Sequence, residues 1–221
     1  MIKVIKNIFC LFVFMLSSQQ AMATIINLSD DSFSEQTIGF DFTFFGQTYN
    51  SVFVGSNGYL TFTSGDTDFT ESVSEFLDEQ ARIAVWDDFD PATGGNIEVI
   101  KSATFFSAVY SNIPQFSNSD SNSFSISLFQ NGLVEIMFNS LNTNDLLVGI
   151  STGGGRTGSS VDLSTRGAWN TTTSIYEQFS DNFDLNQRTL SFNTAVDVPE
   201  PSSIAILAFG LIGLMSRRLI K

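Results

Sequence analysis

SFSISLFQNGLVEIMF, residues 123–138, is the stretch that decides the fold. Phe124, Ile126 and Leu128 alternate with Ser123, Ser125 and Ser127, which is the period of a strand with one buried face. After Asn131-Gly132 a second run sets Val134, Ile136 and Phe138 on one face. Asn-Gly between alternating runs predicts a β-hairpin closed by a type I′ turn, because both residues tolerate positive φ.

The same grammar extends outward. Residues 51–55 and 59–63 flank Asn57-Gly58, with Leu60 and Phe62 alternating with Thr61 and Thr63. Phe40, Phe42 and Phe44 alternate with Asp41 and Thr43. Further strands are expected at 82–86, 96–109, 146–151 and 189–192. Residues 71–79, with Val73, Phe76 and Leu77 at helical spacing, predict one or two helical turns within a loop. Residues 117–123 and 181–187 read as solvated loops. Strands at this spacing predict an all-β fold, an antiparallel β-sandwich, with a barrel as second choice. Most of the 19 phenylalanines of residues 24–198 then fill the space between the sheets.

Charge narrows the function. Residues 24–198 hold 22 acidic side chains against five basic ones, a balance of −17, so nucleic acid and anionic lipid are repelled. There is no histidine, and Cys10 is the only cysteine. The commonest general base and the soft ligands of zinc or copper sites are therefore missing from the segment, as is any disulfide.

The two ends are of another kind. Lys3 and Lys6, an apolar run over 8–16 and the small-x-small pattern Ala21-Met22-Ala23 predict a signal peptide over 1–23, cut by signal peptidase after Ala23; an uncleaved anchor is the alternative. At the other end, Val198, Pro199, Glu200 and Pro201 precede an apolar run over 204–215 and then Arg217, Arg218 and Lys221. That run is short for a permanent transmembrane helix, and its basic end places it with charges on the cytoplasmic side. Motif, short helix and basic end together resemble the PEP-CTERM sorting signal. The resemblance implies processing by exosortase in a Gram-negative bacterium, with a membrane-inserted precursor and a product on the outer surface or in the extracellular matrix. An ordinary membrane anchor is the alternative. The expected organisation is a signal over 1–23, one β-domain over 24–198 and a sorting tail over 199–221.

A second resemblance covers about residues 40–90. Phe44-Phe45-Gly46-Gln47-Thr48-Tyr49, then Val52 to Phe62 around Asn57-Gly58, then Ile83-Ala84-Val85-Trp86-Asp87-Asp88-Phe89-Asp90 are similar to the N-terminal half of nidogen-like extracellular domains. The cysteines usual in animal matrix proteins are missing. The resemblance implies an extracellular β-domain with a matrix role and no catalysis.

Asp87, Asp88 and Asp90 are candidate Ca²⁺ ligands, since hard oxygens gathered at a strand end suit that ion. Their spacing is not that of an EF-hand, and Asp-Asp-Phe-Asp-Pro is also a good strand-terminating turn, with Pro91 fixing φ. Gly153-Gly154-Gly155-Arg156-Thr157-Gly158 lacks the Gly-Lys-Ser/Thr of a phosphate loop and reads as a hairpin loop. No nucleophile–base pair is selected by spacing, and Lys101, the only lysine of the β-domain, lies in an expected strand. The expectation is a non-enzymatic cell-surface or biofilm-matrix protein. A lectin-like module for extracellular polysaccharide is the second reading and a secreted hydrolase the third.

Overall fold

A computed structural model describes residues 21–143 and 145–194. The expected signal helix, the motif Val198–Pro201 and the apolar tail with Arg217 and Arg218 lie outside them. In chain order the elements are β1 (Met22–Ile26), β2 (Phe33–Phe44), β3 (Gln47–Gly55), β4 (Tyr59–Thr61), α1 (Val73–Asp78), β5 (Arg82–Trp86), β6 (Asn96–Lys101) and β7 (Phe105–Ile113). They continue with β8 (Asn122–Phe129), β9 (Leu133–Ser140), β10 (Leu146–Ser151), β11 (Gly158–Ser160), β12 (Ala168–Asn170), β13 (Ser174–Phe179) and β14 (Thr189–Asn193).

Two seven-stranded sheets face each other, in the orders β1-β6-β7-β8-β9-β14-β12 and β11-β13-β10-β5-β4-β3-β2. The fold is a β-sandwich and neither sheet closes into a barrel. Pairing is antiparallel except at two edges, where β11 runs parallel to β13 and β12 to β14. The hairpin read from 123–138 is β8–β9, with Ile126 opposite Ile136 and Leu128 opposite Val134. Its apolar face is wholly buried. Tyr110 of β7 stacks on Phe124 at 4.4 Å between ring centroids, and Phe89 leans on the same ring at 5.5 Å. The phenylalanines are mostly core, as expected.

Three local expectations change. Gly58 and Gly132 have positive φ but Asn57 and Asn131 do not, so neither turn is type I′. Gly132 instead donates its N–H to the Phe129 carbonyl, closing a type I turn with glycine in the left-handed position. The run 96–109 is not one strand. Ser102 Oγ accepts from the N–H groups of Thr104 and Phe105, folding the chain back between β6 and β7. The glycine run after β10 is not a simple hairpin loop: Gly154 and Gly155 donate to the carbonyls of Glu79 and Leu77 at the end of α1.

β5 and β10 are buried along their whole length, because both faces of this sheet are covered. One face meets the core. Against the other lies the segment 62–81, in which Ser72 Oγ caps α1 through the Glu75 N–H and Phe76 is fully buried. Phe76 packs there with Tyr59, Ala84, Trp86 and Leu147.

β1 is an edge strand that starts within the expected signal. Met22 and Ala23 pair with Lys101 and Ile100, and Ala21 is exposed. Cleavage after Ala23 would leave Thr24–Ile26 to hold the edge through Val99, Glu98 and Ile97.

Candidate functional site

The turn between β3 and β4 sits at one end of the sandwich, where four other segments meet it. Ser56 and Ser32 exchange bonds, Ser56 N–H to the Ser32 carbonyl at 2.7 Å and Ser32 N–H to Ser56 Oγ at 2.9 Å. Asn57 Nδ2 donates to Asp31 Oδ1 at 2.9 Å and to the Asp68 carbonyl at 3.1 Å. Behind β5, Asp90 N–H bonds the Pro114 carbonyl and Phe116 N–H bonds the Asp88 carbonyl. Loops 27–32, 64–72, 87–90 and 114–116 are thereby gathered over the buried Ser56-Asn57-Gly58 turn.

This end is acidic. Asp87 is almost fully buried; its Oδ1 accepts from Asp88 N–H and its Oδ2 from Gln115 Nε2, each at 2.8 Å. Asp90 is also buried and caps its own turn through Ala92 N–H at 3.0 Å. Asp88 is different. Its carboxylate meets those of Asp30 and Asp31, with ligand oxygens within 4.8 Å of one another. Of the three aspartates singled out from sequence, Asp88 alone enters this set; Asp30 and Asp31 lie almost 60 positions away and no local spacing pointed to them. Burial first, then the charges of Asp31, Asp30, Asp87 and Asp90, push Asp88 up to about 6. Burial and its neighbours Asp31 and Asp90 raise Asp30 as well.

Glu71 hydrogen-bonds Asp87. Burial, the charges of Asp87 and Asp145 and that hydrogen bond push Glu71 up to about 8, against one lowering backbone bond. Burial raises Asp87 as well, so the pair holds a proton to higher pH than an isolated carboxyl would. Because the folded-state pKa lies above the usual value, this contribution to stability is complete below about pH 4.5 and is lost as pH rises towards 8. In chelator, the thermal midpoint should fall between about pH 5 and 8, and Glu71→Gln should flatten that fall. An unchanged slope in the variant would contradict the assignment.

A second acidic set, Asp66, Asp68 and Glu79, lies over the outer face of β5. Here a cation is already in place. Arg82, fully buried, pairs with Asp66 at 2.9 Å and with Glu79, and its guanidinium lies 5.0 Å from the Trp86 ring centroid.

Three exposed aromatics belong to the segments that meet at this end. Phe33 is two residues from Asp31, Phe69 follows Asp68, and Phe116 is bonded to Asp88 through its backbone. They are 43%, 51% and 53% exposed, unlike the core rings.

Fold and site together define a class: a two-sheet sandwich whose turn between β3 and β4 is locked beneath an acidic, aromatic-rimmed end. Residues 12–194 match the family described as NIDO related, and the chain belongs to that family. Residues 197–219 match the PEP-CTERM protein-sorting motif, so the protein is exported and processed by exosortase. No curated protein and no solved structure matches the chain.

Proposed function

We propose that the processed protein is a non-enzymatic component of the bacterial cell surface or biofilm matrix. The observation that carries this reading is the joining of a NIDO-related sandwich to a PEP-CTERM motif in one chain. Signal peptidase removes residues 1–23, exosortase cuts near Pro199-Glu200-Pro201, and the acidic domain is delivered to the outer surface of a Gram-negative cell. Cells lacking the protein should lose matrix cohesion and regain it with the wild-type chain. Unchanged cohesion in the deletion strain would sink the proposal.

One observation favours polysaccharide recognition as the means of attachment. Phe69 and Phe116 are the more exposed of the three rings at the acidic end, and exposed aromatic rings can stack on the C–H faces of sugar rings. In a pull-down with the producing organism's own polysaccharide, Phe69→Ser with Phe116→Ser should reduce retention by roughly tenfold, the worth of about 1.4 kcal/mol. Equal retention of variant and wild type would leave structure alone as the role.

A further inference from the structure

Asp30 and Asp31 come from the loop before β2 and Asp88 from the turn after β5, yet their carboxylates converge. Among the described residues, the ion pairs that form are those of Arg82 with Asp66 and Glu79, so no described Lys or Arg pairs with this set. A second, independent observation concerns Asn57. Its side chain is fully buried, and two acceptors hold its Nδ2, which orients the amide. Its Oδ1 is buried with no donor. An amide oxygen lies roughly 2.3 Å from its nitrogen, and Nδ2 is 2.9 Å from Asp31 Oδ1; the orphan oxygen therefore stands no more than roughly 5 Å from the Asp31 carboxylate. Asp30 Oδ1 is buried and undonated as well.

We propose that Asp30, Asp31 and Asp88, with Asn57 Oδ1, form a binding site for one Ca²⁺ ion. Ca²⁺ binds oxygen at about 2.3–2.6 Å, so ligands on opposite sides of it stand about 5 Å apart. The three carboxylate oxygens lie within 4.8 Å of one another, which that size allows. Three carboxylates and one amide oxygen, completed by water on the partly exposed side, reach the six to eight oxygens the ion takes. Mg²⁺ demands a tighter octahedron at about 2.1 Å, which ligands borne on separate loops meet poorly. The ion would tie the loop before β2 to the turn after β5 across the Asn57 amide. This site does not depend on the polysaccharide reading.

The test uses the full-length chain in mild detergent, stripped with chelator, and titrated by calorimetry with CaCl₂ and, in parallel, MgCl₂ at constant ionic strength. One Ca²⁺ per chain is expected, with Kd on the order of 10⁻⁴ M, as in extracellular modules. The thermal midpoint should rise by about 5 °C in saturating Ca²⁺ and by less than half as much in Mg²⁺. Asp31→Asn should raise the midpoint in chelator, since it relieves like-charge repulsion, while weakening Ca²⁺ binding at least tenfold. Asp88→Asn should do the same, which keeps the test decisive if either variant fails to fold. No heat and no midpoint shift at 10 mM CaCl₂, an equal response to both ions, or full affinity in the folded variants would each overturn the proposal.

Discussion

Arg82→Ala is expected to cost the fold about 3–5 kcal/mol, read as a lower urea midpoint at unchanged slope. Arg82 stands in a strand with both faces covered, and its side chain is 0% exposed. Removing it leaves the Asp66 carboxylate, itself only 7% exposed, without its cation. It also empties the space above Trp86 and Tyr59. Asp66 accepts from Asp68 N–H at 3.0 Å and Gln80 Nε2 at 3.3 Å, so the loss spreads into the segment that covers β5. Paired replacement by Arg82→Met and Asp66→Leu should recover most of the stability, because apolar residues of similar volume commonly match or exceed a buried ion pair. A cost below 1 kcal/mol for Arg82→Ala would show that the pair does not anchor this segment.

Gly58→Ala is expected to cost about 2–4 kcal/mol, combining a strained backbone with overpacking. Gly58 has φ of +79°, and a Cβ there would stand 2.1 Å from the Val85 carbonyl oxygen. The Phe89 and Phe124 rings lie at 3.0 and 3.1 Å from the same point. Since the Gly58 carbonyl also accepts from Val85 N–H at 2.9 Å, the turn cannot move away without breaking its bond to β5. Gly154→Ala separates the two causes. Its φ of +70° is similar, but nothing lies within 4 Å of the added carbon, so about 1 kcal/mol is expected. Equal effects in urea for the two variants would mean that close approach contributes nothing at Gly58.

What was legible in the sequence follows from the range of each interaction. The β8–β9 hairpin could be read because burial on one face imposes a period of two on every residue from Ser123 to Phe138. The break between β6 and β7 could not, since it depends on one serine hydroxyl taking two backbone N–H groups. Asn-Gly marked both turns correctly but not their type, which is decided by backbone bonding such as that of Gly132 to Phe129. The apolar run from Ile83 to Trp86 suggested a strand, while the cover over its outer face depends on segment 62–81 folding back. The acidic end was half visible. Asp87, Asp88 and Asp90 stood out as neighbours in sequence, yet neighbouring residues on a tight turn point apart, and the fold gives each a different use. Asp30, Asp31 and Asn57 join Asp88 only through the pairing of distant strands, for which the chain carries no local pattern.

The NIDO-related sandwich gives this protein a stable acidic body, and the PEP-CTERM motif gives it a route across the cell envelope. The most direct test of that account is mass spectrometry of both termini of the protein recovered from its producing cells, with the cellular fraction recorded. The account predicts Thr24 at the N-terminus, a C-terminus near Pro199-Glu200-Pro201, and recovery from the surface or matrix fraction. An intact tail through Lys221, held in the inner membrane of cells with active exosortase, would contradict it.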